Sequence, residues 1–172
     1  MADRHLVISR DRLHAVVSDL GARISADYAG KDLVMIGVLN GAFIFLADLV
    51  RAVTIPHQID FIRVASYGGS TSSSGTIRLT KDVELDLRDK HVLLVEDIVD
   101  TGTTLAWLTE RFMDNLAASV KICALIDKKE RRQTEVRLDY IGFAQDGFLV
   151  GYGLDFAEQY RYLPEIYSLS FP

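Results

Sequence analysis

A chain of 172 residues, 49% apolar and 25% charged, is long enough for one domain with a real core and has an ordinary globular composition. A net charge of −5 gives no electrostatic footprint for general nucleic-acid binding, and no apolar run approaches the ~18 residues that span a bilayer. A lone cysteine, Cys123, excludes an internal disulfide, and the opening Met-Ala-Asp-Arg-His lacks a signal-peptide pattern, so the cytoplasm is the expected compartment.

Leu13, Val16, Val17, Leu20 and Ile24 fall at helical spacing, which predicts a helix between an N-cap at Ser9 and a stop at Gly30. His14 lies on it; with no second His or Cys at ligand spacing it reads as a surface residue. Leu33–Leu39 reads as a buried strand, Asn40-Gly41 as a tight turn, and residues 42–53 as an apolar helix. A strand over 57–65 follows Pro56, with Ile59 and Phe61 on one face. Residues 66–76, rich in Ser and Gly, have the composition of a mobile loop, either a hairpin tip or a lid. A strand over 77–83 pairs back.

Residues 92–95 are an apolar run typical of a buried parallel strand, closed by Glu96 and Asp97. Asp100, Thr101, Gly102, Thr103 and Thr104 then precede a helix with Leu105, Leu108, Phe112 and Leu116 in one stripe and Trp107 beside it. The next strand, 120–126, takes Cys123 into the core. In the charge run 127–132, Lys129, Arg131 and Arg132 read as a solvated face. Lys128 is set apart because it follows a strand ending near the same sheet edge as Glu96. After an apolar stretch at 140–143 and a turn at Gln145-Asp146-Gly147, residues 148–155 are aromatic and apolar up to Asp155. The strand–helix alternation predicts an α/β fold, a mostly parallel twisted sheet flanked by helices, as a single domain over 1–172.

The stretch from 95 to 104 has the clearest chemistry. A Thr- and Gly-rich turn at a helix start offers free N–H groups, hydroxyls and the positive end of the helix dipole, which suits a phosphate. Gly102 permits close approach or positive φ. Ionised Glu96 and Asp97 accept only, and a ribose diol supplies two O–H donors. Together they read as a cradle for a ribose 5-phosphate at the carboxyl end of a parallel strand. Read plainly, the same residues form a capped strand-to-helix turn with solvated acids, and Asn40-Gly41 only a turn. No Gly-x-x-x-x-Gly-Lys-Ser/Thr occurs, which excludes a P-loop NTPase.

Val95-Glu96-Asp97-Ile98-Val99-Asp100-Thr101-Gly102-Thr103-Thr104 resembles the phosphoribosyl-diphosphate (PRPP) signature of type I phosphoribosyltransferases, and Asp100 resembles their 6-oxopurine branch. The resemblance runs from about Leu33 to Leu163. It implies the family fold with a small hood from the terminal segments, and a homodimer or homotetramer. It implies transfer of a phosphoribosyl group from PRPP to hypoxanthine or guanine, with Mg2+ as cofactor.

By resemblance, Glu96, Asp97, Asp100, Thr101, Gly102, Thr103 and Thr104 hold the ribose and 5′-phosphate, with Asp100 also the general base. Leu39, Asn40, Gly41 and Arg161 face pyrophosphate, in a loop that can hold a non-proline cis peptide. Lys128, Phe148 and Leu149 take the base, Ser66 and Tyr67 belong to a closing lid, and Glu96, Asp97 and Asp155 are the metal carboxylates. Two departures stand out: Asn40 where Lys or Arg is common, and a turn between Phe143 and Phe148 one residue shorter than the family pattern. Two other readings compete. A regulator on the same fold would bind RNA, carry a basic patch and tolerate a non-acid at 100; a non-catalytic nucleotide module would need no lid.

Overall fold

The structure, a computed structural model, describes residues 3–67 and 76–170. Its elements run β1 (Asp3–Ile8), α1 (Arg10–Asp27), β2 (Leu33–Leu39), α2 (Phe43–Ala52), β3 (His57–Tyr67), β4 (Thr76–Lys81), β5 (His91–Val99), α3 (Thr103–Asp114), β6 (Ser119–Asp127), β7 (Tyr140–Ala144), β8 (Leu149–Val150) and β9 (Ile166–Ser170).

Six strands form one sheet in the order β4-β3-β2-β5-β6-β7, parallel throughout except for β4. Alternation along the strands divides the core in two. Leu33 and Met35 of β2, Leu93 and Val95 of β5, and Cys123 and Leu125 of β6 pack under α1 and α2. Their neighbours Val34, Ile36, Val92, Leu94, Ile122 and Ala124 pack on the other face with Leu105, Leu108 and Phe112 of α3. Each such buried aliphatic side chain contributes about 1.5–3 kcal/mol. The central strands are therefore apolar on both faces, as the sequence predicts for a parallel sheet. A second, antiparallel sheet, β1-β9-β8, joins the two chain ends as the expected hood.

Local chemistry sets the helix ends. Ser9 caps α1, its hydroxyl accepting from the Arg12 N–H at 3.4 Å. The helix closes at Tyr28, just before Gly30 at φ 74°. Leu116 departs from the expected helical stripe. The Leu116 and Ala117 N–H groups turn back to the carbonyls of Met113 and Phe112, which ends α3 with Leu116 left-handed (φ 64°) and exposed.

Two strands are longer than their apolar runs suggest. β5 continues through Glu96 and Asp97 to Val99 because β6 pairs with it that far, Glu96 opposite Ala124 and Val99 opposite Asp127. β3 continues through Ser66 and Tyr67, which pair with Ile77 and Thr76 of β4. The rest of the expected lid, residues 68–75, lies outside the described residues.

Candidate active site

A cleft of about 270 Å³ opens at the carboxyl ends of β2, β3 and β5. Its wall includes Leu39, Gly41, Glu96, Asp97, Asp100, Thr101, Gly102 and Thr104. The parallel register puts these residues at one edge, since β2 and β5 run side by side from Leu33 and His91. The acid pair thus lies one turn from the hydroxyl-rich bend, on the same side of the sheet edge.

The pair is strongly perturbed. Asp97 is only 8% exposed. Its N–H donates to Glu96 Oε1 at 3.2 Å, and the Ile98 N–H donates to Asp97 Oδ1 at 2.8 Å. Burial, then the neighbouring Asp97 charge, pushes the Glu96 carboxyl well above the usual carboxylate range. Burial also raises Asp97, against the lowering effects of Glu96, the Ile98 N–H and the Arg161 charge.

The turn after β2 is pressed onto this pair. A Cβ on Gly41 would lie 1.8 Å from Asp97 Oδ2, so only glycine fits without displacing the acid. The Leu39–Asn40 peptide is cis, as the resemblance implies for this loop. A Cβ on Gly153 would in turn lie 2.2 Å from the Gly41 carbonyl oxygen. The Gly153 carbonyl accepts from Arg161 Nη1 at 2.8 Å, and Arg161 Nη2 pairs with Asp155 at 2.9 Å and Glu158 at 3.2 Å. One chain of contacts thus links Asp97, Gly41, Gly153, Arg161 and Asp155.

The bend after β5 has Gly102 at φ 82° as the N-cap position of α3. Asp100 Oδ1 is buried with no hydrogen-bond partner among the described residues, while Oδ2 faces Arg131 at 3.4 Å. The Lys128 N–H donates to the Val99 carbonyl at 3.0 Å; its side chain is 13% exposed, and its ammonium lies 3.9 Å from Glu130. Phe148 is 43% exposed and meets Phe156 edge-on at 5.4 Å; Leu149, next to it, is buried at the start of β8.

Several expected residues lie off the cleft wall itself: Asn40, Thr103, Lys128, Phe148, Leu149, Asp155 and Arg161. Among the described residues no three His, Cys, Asp or Glu side chains converge as a metal-ligand set, so Glu96, Asp97 and Asp155 do not meet as one. The donor chemistry still suits Mg2+, which takes one or two carboxylates together with substrate oxygens and water. Two adjacent acids, Asp97 buried and Glu96 half-buried, each raised by desolvation, would be relieved by a cation.

Of the residues read as a solvated face in the charge run, Arg131 is exposed and reaches Asp100 from that face. Arg132 is not part of it: it is half-buried, and its guanidinium bonds the Asp100 carbonyl and the Asp127 carboxylate. Its only sequence signal was its place a short way beyond a strand end.

Residues 9–157 match the phosphoribosyl transferase domain family. The hypoxanthine-guanine phosphoribosyltransferase of Streptococcus pneumoniae R6 is 44% identical over 164 residues, 95% of this chain and 91% of its own length. The hypoxanthine phosphoribosyltransferase of Escherichia coli K12 is 41% identical over 164 residues, 94% of this chain and 92% of its own. A crystal structure of the Staphylococcus aureus hypoxanthine phosphoribosyltransferase superposes with a TM-score of 0.92 at 38% identity, covering 96% of this chain and 91% of that one.

The chain therefore belongs to the type I phosphoribosyltransferase family, and its fold is the one these structures share. Within the family its place is among the hypoxanthine(-guanine) phosphoribosyltransferases, enzymes of purine salvage. No helix among the described residues is long and apolar enough to cross a membrane.

Proposed function

We propose that the cleft binds PRPP and a 6-oxopurine and joins them into a nucleoside 5′-monophosphate, IMP or GMP, with release of pyrophosphate. Glu96 and Asp97 accept from the ribose hydroxyls, and residues 100–104 take the 5′-phosphate. The turn at Leu39, Asn40 and Gly41, with Arg161, faces the pyrophosphate. Asn40 contributes through its backbone, since it lacks the cation common at that position.

The C1′–pyrophosphate bond breaks as the purine N9 attacks, leaving positive charge on the sugar and negative charge on the leaving group. Glu96 and Asp97 on one side or Asp155 on the other, directly or through water, would hold Mg2+, which would neutralise charge on the pyrophosphate. The base must lose a proton as it adds, and Asp100 accepts it from N7. Lys128 donates to the O6 carbonyl, which adenine replaces with a second donor. Phe148 stacks on the ring, and backbone groups of Leu149 meet its edge. Ser66 and Tyr67, at the end of β3, belong to a lid that excludes water from the cation-like sugar.

One observation carries the reading. The buried, unpartnered Asp100 Oδ1 lies in the same cleft wall as the acid pair and the helix-start turn. The acceptor base is hypoxanthine, and guanine as well. The enzyme acts in the cytoplasm as a homodimer or homotetramer, all 172 residues forming one domain, with no nucleic-acid or membrane partner.

The test is a panel of bases with protein, Mg2+ and PRPP. Hypoxanthine or guanine is consumed with equimolar pyrophosphate, and adenine and uracil are not; consumption of adenine or uracil instead contradicts the reading. Asp100→Asn lowers turnover roughly 10²–10⁴-fold, the range for a positioned general base, while PRPP still binds. Turnover unchanged in this variant would remove Asp100 from that role.

A further inference from the structure

Three consecutive carbonyls of the bend after β5 accept hydrogen bonds from one other segment. Val99 accepts from the Lys128 N–H at 3.0 Å and Thr101 from the N–H groups of Gln133 and Thr134, both at 3.0 Å. Between them, the Asp100 carbonyl accepts from Arg132 Nε at 3.1 Å. Arg132 Nη2 reaches on to the Asp127 carboxylate at 2.5 Å and to the Lys128 carbonyl at 3.4 Å. Asp127 is 5% exposed, so the pair is fixed within the protein. The Thr103 and Thr134 hydroxyls meet at 3.1 Å, and a Cβ on Gly102 would lie 2.4 Å from the Thr134 carbonyl oxygen.

A trans peptide places its C=O and the following N–H on opposite sides. With the carbonyls of 99, 100 and 101 turned toward the segment 128–134, the N–H groups of Asp100, Thr101 and Gly102 are turned away from it.

We infer that residues 127–134 are a strap that orients the bend for anion binding, and that Arg132, anchored by Asp127, is its positioning residue. The inference rests on the reading of residues 100–104 as the 5′-phosphate site. Arg132 touches no substrate; it acts by holding the Asp100 peptide.

The experiment compares the affinities of inosine 5′-monophosphate and inosine by calorimetry, in the full-length protein and in Arg132→Gln, Arg132→Lys and Asp127→Asn, with melting curves for each. The ratio of the two affinities isolates the 5′-phosphate. Arg132→Gln lowers this ratio about tenfold or more, as expected for loss of a charged hydrogen-bonding group, and leaves inosine affinity nearly unchanged. Arg132→Lys keeps a cation but cannot span both partners, so it and Asp127→Asn give intermediate losses.

A folded Arg132→Gln with the native ratio, or one that weakens both ligands equally, overturns the strap. Should that variant fail to fold, the ratio in Arg132→Lys and Asp127→Asn decides in the same way. A native protein that binds nucleotide no better than nucleoside instead refutes the phosphate reading on which the strap stands.

Discussion

The turn after β2 and the bend after β5 are built alike, strand then short polar turn then helix, yet they are held in different ways. The bend is held by donors: main-chain and guanidinium N–H groups of residues 128–134 bind its carbonyls. The turn at Gly41 is held by contact, with no room for a methyl group between it and Asp97 or between it and Gly153. The first arrangement fails with a lost donor as well as with volume added at Gly102, where a Cβ would meet the Thr134 carbonyl oxygen. The second tolerates lost polarity but no added volume. Two turns of one sheet edge can therefore be damaged separately.

The largest effect expected from that contrast is at the tight turn. Gly41→Ala must displace the Asp97 carboxylate or the loop, and misplacing reacting groups by about 1 Å costs on the order of 10² in rate. Steady-state kinetics showing less than a tenfold fall in kcat/KM for PRPP would place Asp97 outside the site. Gly153→Ala acts at one remove, through a clash with the Gly41 carbonyl and a φ of 101° that disfavours a side chain. It raises the KM for PRPP roughly tenfold while the KM for the base stays within about twofold. Equal changes in both would mean the hood and the turn are not coupled.

The smallest effect on activity belongs to a residue outside both turns. Asp60 of β3 accepts from the N–H groups of Phe61, Glu84 and Leu85 and pairs with Lys81. Burial pushes its carboxyl up, but the three N–H groups and the Lys81 cation outweigh burial and hold it below the usual range. A carboxyl depressed on folding gives stability that is complete above the ordinary Asp range and lost as pH falls through its folded value. Asp60→Asn therefore lowers stability by about 2 kcal/mol at neutral pH, with kcat nearly unchanged. In denaturant titrations the deficit narrows as pH falls below about 4, the ordinary Asp value. A deficit of constant size across that range would contradict the role given to its charge.

How much of this was legible in the sequence depends on the range of the interaction. Apolar runs on both faces of β2, β5 and β6 announced a parallel sheet, and Ser9 announced its helix, because those signals are local. The order of small and acidic residues from 96 to 104 pointed to one site for the same reason, and the structure brings Glu96, Asp97, Asp100, Thr101, Gly102 and Thr104 to one cleft wall. Leu116 misled because a left-handed helix end takes a leucine here where glycine is usual. Arg132 was hidden because two of its partners, Asp100 and Val99, lie far away in sequence and become neighbours only when β6 pairs with β5. The contact of Gly41 with Asp97 was equally invisible, since it requires β2 beside β5. Hydrogen-bonded strand ends beyond an apolar run, as at Glu96 and Tyr67, depend on the partner strand and not on local hydropathy.

The most direct measurement is a crystal structure of the protein with Mg2+ and bound nucleoside 5′-monophosphate. The account predicts the phosphate on the N–H groups of residues 101–104 and the two ribose hydroxyls on the Glu96 and Asp97 side, with Asp100 facing N7 of the base. A phosphate seated elsewhere, or a ribose turned away from the acid pair, would contradict it.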